Sequence, residues 1–193
     1  MKKKNLISEN VIKKISPSAG YELVESINKE NCLTEKTKLL IIGTLTPPKG
    51  QGYFYTSPNN KIYGYIDETL GTNLKELKSK LNGNKPETVV KEIKSTLQSQ
   101  GIAFLDVIKF AIRDKTSCLD SDIIQFSLDF DSFKKTTNCK NITVVCNSRN
   151  SERYYKIIQN ELSKEGMLLP EHIFCSQRSG TKEKWKEIIR KSC

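Results

Sequence analysis

Histidine is almost missing from this 193-residue chain: His172 stands alone, beside a single Trp and two Met. Chemistry built on several imidazoles therefore has little to draw on. The six cysteines, Cys32, Cys118, Cys139, Cys146, Cys175 and Cys193, include no C-x-x-C pair. That spacing excludes zinc ribbons and thioredoxin-type redox centres and leaves buried or idle thiols as the expectation. No apolar run approaches the roughly 18 residues of a membrane span. The opening Met1-Lys2-Lys3-Lys4 is followed by Asn5, Ser8, Glu9 and Asn10 instead of the apolar core of a signal peptide. Neither G-x-x-x-x-G-K-[ST] nor G-x-G-x-x-G occurs, so the two common loops for gripping a free nucleotide are missing. The reading is a cytoplasmic chain that needs no metal, iron–sulfur cluster or other cofactor.

What is abundant is positive charge. Lys and Arg total 32 against 22 Asp and Glu, a formal net charge of +10. Without a phosphate loop, that surplus favours a polymeric nucleic acid over a free nucleotide. The length suits a single domain, expected over 1–193, with its own core and no need of a covalent staple.

Four short apolar runs bounded by polar or Gly-containing sequence read as buried strands. They are Leu39-Leu40-Ile41-Ile42, Ile102-Ala103-Phe104-Leu105, Ile142-Thr143-Val144-Val145-Cys146 and Ile173-Phe174-Cys175. Apolar residues three and four apart predict helices over 89–97, over 152–162 and around Trp185, Ile188 and Ile189. Leu81 to Glu87 reads as an exposed turn. The first 35 residues, basic and weakly periodic, are expected to pack as one or two helices on the sheet. Continuous apolar strands separated by helices imply an α/β fold with a parallel sheet covered on both faces.

In such a sheet, ligands bind beyond the carboxyl ends of the strands. Those ends carry Gly43-Thr44-Leu45-Thr46 with the aromatic loop Tyr53-Phe54-Tyr55-Thr56-Ser57-Pro58-Asn59-Asn60, then Asp106, then Asn147-Ser148, then Ser176-Gln177-Arg178-Ser179-Gly180-Thr181-Lys182. Amides, hydroxyls, a carboxylate and cations share one rim, which suits a base and a phosphodiester backbone.

These residues resemble a family. Gly43-Thr44, a Pro-containing turn and the Tyr-rich run into Ser57-Pro58-Asn59-Asn60-Lys61-Ile62-Tyr63 are similar to the G-T-x-P-G … Y-Y-x-H-P-R-N-x-F-W signature of the uracil-DNA glycosylase superfamily, closest to its hypoxanthine-DNA glycosylase-like branch. Gly101-Ile102-Ala103-Phe104-Leu105-Asp106-Val107-Ile108, with Arg113 and Leu119-Asp120-Ser121-Asp122-Ile123, resembles G-I-A-L-W-D-V-I … R … S-L-D-S-x-I. Val145-Cys146-Asn147-Ser148 with Ser151 and Tyr155, and Phe174-Cys175-Ser176 with Trp185, match two later blocks, so the likeness runs in order over about 38–190.

The resemblance implies a three-layer α/β/α sandwich around a four-stranded parallel sheet. It also implies a monofunctional DNA glycosylase, with DNA as partner and a monomer as the working unit. Asn60 falls on the family's catalytic Asn, which holds water below C1′, although Asn59-Asn60 after Pro58 is also ordinary turn chemistry. Leu45 stands where another branch carries a catalytic Asn, and Leu cannot bind water. Asp106 stands where uracil-specific branches place an Asn. A carboxylate only accepts, so it favours a ring N–H or an exocyclic amine. Stabilising the sugar cation, capping a helix or pairing with Arg113 are its other readings.

Gly43, Thr44, Leu45, Thr46, Tyr53, Tyr55, Ser57 and Asn147 complete the expected base site. Tyr53, Phe54 and Tyr55 are divided between stacking and core, while Asn147 and Ser148 are divided between ligand contact and a plain turn. Ser176, Arg178, Ser179 and Lys182 are the expected DNA-backbone contacts, against a solvated charge run. Ser57 replaces the family's His, and Ile62-Tyr63 its Phe-Trp, which suggests a roomier pocket. His172 does not match the catalytic His of the uracil-specific branch, so base departure is expected to rest on backbone amides around Leu45 and Thr46.

Overall fold

In the computed structural model, residues 5–46, 53–57, 59–82, 86–115, 120–139, 141–177 and 180–193 are described. In chain order they form β1 (Asn5–Leu6), α1 (Glu9–Ile12), β2 (Tyr21–Glu25), β3 (Leu39–Gly43), α2 (Ile62–Leu70), α3 (Leu74–Ser79), α4 (Pro86–Ser99) and β4 (Ile102–Asp106). There follow β5 (Ile108–Asp114), β6 (Ile123–Leu128), α5 (Phe130–Lys134), β7 (Thr143–Cys146), α6 (Arg149–Lys164), β8 (His172–Phe174) and α7 (Lys182–Ser192).

The central sheet is four-stranded, wholly parallel and ordered β4-β3-β7-β8. β3 and β4 are buried at every position, as expected for strands covered on both faces. The helices flank this sheet: α7, α2, α3 and α4 pack successively on one another, and α5 packs with α6, which lies on β7. The expected α/β class and parallel four-stranded sheet are therefore present. The helices predicted over 89–97, over 152–162 and around Trp185 lie inside α4, α6 and α7. Pro86 opens α4, where its missing N–H costs nothing. Leu81, placed in an exposed turn by sequence, is buried at the core edge, while 83–85 lie outside the described residues.

Two features depart from expectation. The first 35 residues are not mainly helical. Among their described residues the helix is the single turn of α1 and a 3-10 turn at Asn28–Glu30, and Tyr21-Glu22-Leu23-Val24-Glu25 is a strand paired antiparallel with β5. Its residues are half-buried or exposed, as in a strand with one open face, and four-residue helices have little stability of their own. β2 also belongs to a second sheet, ordered β1-β6-β5-β2, which sequence reading missed. The chain enters that sheet directly from β4. Val107 N–H donates to Gly43 O (3.0 Å), Ile108 N–H to Thr44 O (3.1 Å), and Asp129 N–H to Val107 O (3.0 Å). Asp106 thus sits at the junction of the two sheets.

Candidate active site

Beyond the carboxyl ends of the parallel strands lies a cavity of about 260 Å³, lined by Gly43, Thr44, Leu45, Thr46, Tyr53, Tyr55, Thr56, Ser57, Asn60, Asp106, Asp120, Asn147, Ser148 and Gln177. Each expected base-site residue reaches it, together with Asn60. β3 supplies Gly43, β4 supplies Asp106, and the turn after β7 supplies Asn147 and Ser148.

Asp106 is 2% exposed. Its Oδ2 accepts from the Thr46 N–H (2.6 Å) and the Thr46 hydroxyl (2.7 Å). Burial pushes its carboxyl from the ordinary 3.8 up to about 6; the Thr46 bonds pull the other way, and the charges of Asp120 and Asp129 add to the rise. At neutral pH it is chiefly an ionised acceptor with one oxygen, Oδ2, already committed. Gly43 is its register partner across the β3–β4 ladder. A Cβ on Gly43 would overlap Asp106 Oδ1 and come within 3.0 Å of the Tyr55 hydroxyl. Only glycine allows both groups to close over this strand end.

The Asp106 peptide is held from outside the sheet by Asn28, which sequence reading missed. The Asn28 side chain, 3% exposed, accepts from Asp106 N–H (2.7 Å) and donates to Asp106 O (2.8 Å) and to Asp129 Oδ2 (2.6 Å). Asp129 also caps α5 by accepting from Ser132 N–H. Asp106, Asn28 and Asp129 therefore tie the N-terminal segment, the strand end and a helix cap together. The segment that sequence left unread thus supports the site.

Asn60 Oδ1 accepts from Ile62 N–H (3.0 Å), and the Lys78 ammonium donates to Asn60 O (3.0 Å). The turn chemistry anticipated for Asn60 is real, and it also fixes the amide at the cavity wall. The aromatic run divides. Phe54 and Tyr53 are core, 1% and 0% exposed, and the Tyr53 hydroxyl turns away to Cys32 Sγ (3.7 Å). Tyr53 forms a buried wall without an open stacking face. Tyr55 is half-buried, at φ 56°, and its ring meets Phe104 edge-on at 4.8 Å. A non-glycine residue in that left-handed conformation costs about 1–3 kcal/mol.

Ser148 caps α6, its Oγ accepting from Ser151 N–H (3.0 Å) while Ser151 Oγ accepts from Ser148 N–H (3.1 Å). The Thr44 and Ser148 hydroxyls lie 2.9 Å apart. Both turn and cavity readings of Ser148 therefore hold geometrically. Asp120 and Gln177 also line the cavity and were not singled out. Asp120 lay within a matched segment, but nothing there distinguished it from its neighbours.

The expected DNA-contact loop is only partly described. Arg178 and Ser179 lie outside the described residues. Ser176 O accepts from Trp185 Nε1 (2.9 Å) and the Thr181 hydroxyl (2.7 Å), pinning the loop to α7. Lys182 opens α7 and pairs with Glu68 of α2 at 2.7 Å, outside the cavity lining. His172 is also outside that lining, edge-on to Tyr155 with Nε2 3.6 Å from Glu152. Cys118 falls outside the described residues, while Cys32, Cys139, Cys146 and Cys175 are buried free thiols. No group of three or more His, Cys, Asp or Glu among the described residues is arranged to hold a metal ion. No described helix is long and apolar enough to cross a membrane.

No protein-family model matches the chain, and no curated protein matches it. Among solved structures, it is similar to the solution NMR structure of a "putative Uracil DNA glycosylase" from Methanosarcina acetivorans, at 20% identity, over 83% of this chain and 94% of that one, with a TM-score of 0.52. That likeness establishes a shared fold.

Proposed function

We propose that this chain is a monofunctional DNA glycosylase of the uracil-DNA glycosylase superfamily, with the hypoxanthine-type branch as its nearest kin. It flips a non-standard base from DNA into the strand-end cavity and hydrolyses the N-glycosidic bond, leaving an abasic site. The observation that carries this reading is the convergence of Asn60, Asp106 and three of the matched segments, with Gln177 from the loop after the fourth, on one cavity of about 260 Å³. The volume is just below the roughly 300–1,000 Å³ of drug-sized sites, a scale that suits one base. The basic surplus and the shared fold with the Methanosarcina acetivorans structure described as a "putative Uracil DNA glycosylase" add support.

In this reading Asn60 holds the attacking water below C1′. Its amide does not titrate, and the Ile62 bond fixes its plane. One lone pair of Oδ1 remains for the water. Asp106 Oδ1 receives an N–H of the base edge while Oδ2 stays with Thr46. Leu45, Thr44, Ser57 and Asn147 shape the remaining wall. Ser176, Arg178, Ser179 and Lys182 hold flanking phosphates, and Lys182 exchanges its exposed Glu68 partner for one. The protein works as a cytoplasmic monomer with no metal, iron–sulfur cluster or cofactor, its glycosylase core spanning 38–190.

The substrate is a deaminated base, uracil or hypoxanthine, excised in repair. A second reading is favoured by the accept-only chemistry of Asp106: a 5-modified or glycosylated cytosine, whose amine it would receive, excised from viral DNA as a defence. Incubation with DNA containing each base, followed by alkali, tests both. Strand breaks at one base assign the substrate. Breaks at none, with tight binding to one modified DNA, would replace the enzyme with a modified-base reader.

A further inference from the structure

A buried tyrosine hydroxyl with no well-formed hydrogen bond belongs to a residue that lines this cavity. The Tyr55 hydroxyl oxygen has negligible exposure and, among the described residues, no group meets it in good hydrogen-bond geometry. The Asn147 side chain approaches it as a weak hydrogen-bond partner, and Tyr55 and Asn147 line the same cavity. The Tyr55 ring is fixed by its packing on Phe104 and by its left-handed backbone. Glycine at 43 leaves space for the hydroxyl beside Asp106 Oδ1.

Of the donors expected to help the base depart, those of Thr46 are already engaged. The Thr46 amide and hydroxyl are both committed to Asp106 Oδ2. His172 is not part of the cavity. An ionised Asp106 repels a base that is becoming an anion, so a neutral donor must face the developing charge.

Resting on the glycosylase reading above, we propose that Tyr55 is a catalytic residue whose O–H donates to the departing base. The glycosidic electron pair leaves on the base nitrogen, and water forms the new C1′–O bond. The proton that water sheds reaches the base through solvent. Tyr55 keeps its own proton throughout: burial, and then the neighbouring Asp106 charge, hold the phenol well above its ordinary ionisation range. Its hydrogen bond strengthens as negative charge gathers on the base, which is the condition for speeding the chemical step. Asp106 and Tyr55 together present one acceptor and one donor to the base edge.

The test is Tyr55→Phe in the full chain, which keeps the ring and removes only the oxygen. Single-turnover release is measured on DNA containing uracil, 5-fluorouracil, hypoxanthine or 5-modified cytosines. Release should fall about 100-fold, with the smallest loss for the base that leaves most easily. Thermal stability should change little, because the buried oxygen has only a weak partner in Asn147. Affinity for DNA carrying the uncleavable 2′-fluoro nucleotide of a released base should hold within a few-fold. Release at the wild-type rate, or a loss that appears equally as weaker 2′-fluoro DNA binding, overturns the proposal. A wild-type chain that releases none of these bases overturns the glycosylase reading itself, an outcome distinct from an active wild type with an unaffected Tyr55→Phe.

Discussion

Replacing Asp106 by Asn should stabilise the protein at neutral pH while altering what it excises. The carboxyl is raised from 3.8 to about 6 in the folded chain, and a displacement of about two pH units corresponds to roughly 3 kcal/mol. The folded state holds the proton more tightly than the unfolded one. The contribution of Asp106 to stability is therefore greatest below about pH 4, falls as pH rises through the window from 4 to 6, and is flat above it. By pH 5 about half of the penalty is relieved. The introduced amide can turn its carbonyl to the Thr46 N–H and hydroxyl and its N–H toward the Tyr55 oxygen, so the substitution removes charge without orphaning either neighbour. Urea denaturation of both proteins from pH 4.5 to 8 isolates this group, because all other titrations cancel in the difference. Asp106→Asn should exceed wild type by up to about 3 kcal/mol at pH 7.5, with the gap closing toward pH 4.5. Parallel stability curves would refute the buried, charged Asp106. In excision assays the same variant should lose preference for amino-bearing bases, and unchanged selectivity would remove Asp106 from base reading.

Other perturbations separate scaffold from chemistry. Asn28→Ala breaks three buried hydrogen bonds and should cost about 2–4 kcal/mol in chemical denaturation. If Asn28 works by holding Asp106, its further effect on excision rate should vanish in an Asp106→Asn background. Gly43→Ala forces a methyl against Asp106 Oδ1 and the Tyr55 hydroxyl; about 1–3 kcal/mol of stability should be lost, and excision should fall with it. A Gly43→Ala chain of wild-type stability and rate would show that the strand end is less crowded than described. Lys182→Ala should leave thermal stability within error and reduce the salt dependence of DNA binding by about one phosphate.

The parallel sheet was readable because its strands are short, mainly apolar and separated by helices with clear 3.6-residue periodicity. The second sheet was not, because β2 and β6 are half-buried strands whose mixed composition acquires meaning only by pairing with β5. Asp106 and Asn60 could be placed at one cavity because strand ends converge in such folds and a motif surrounds each. Asn28 carries no local signal: it lies 78 residues from the peptide it clamps, and nothing in Ile27-Asn28-Lys29 distinguishes it from a surface turn. The division of Tyr53-Phe54-Tyr55 into core and cavity was equally hidden, since the kink at Tyr55 reverses the side that a regular alternation would assign.

The central claim is that Asn60 directs water onto a flipped nucleotide. Mass detection of free base, released under single-turnover conditions from DNA containing uracil, hypoxanthine or hypermodified cytosines, tests it most directly. Wild type should liberate one of these bases and leave an alkali-labile site, and Asn60→Ala should do so at least about 100-fold more slowly while binding the same DNA. Equal release by both proteins would contradict the assignment of Asn60, and no release by either would contradict the enzyme.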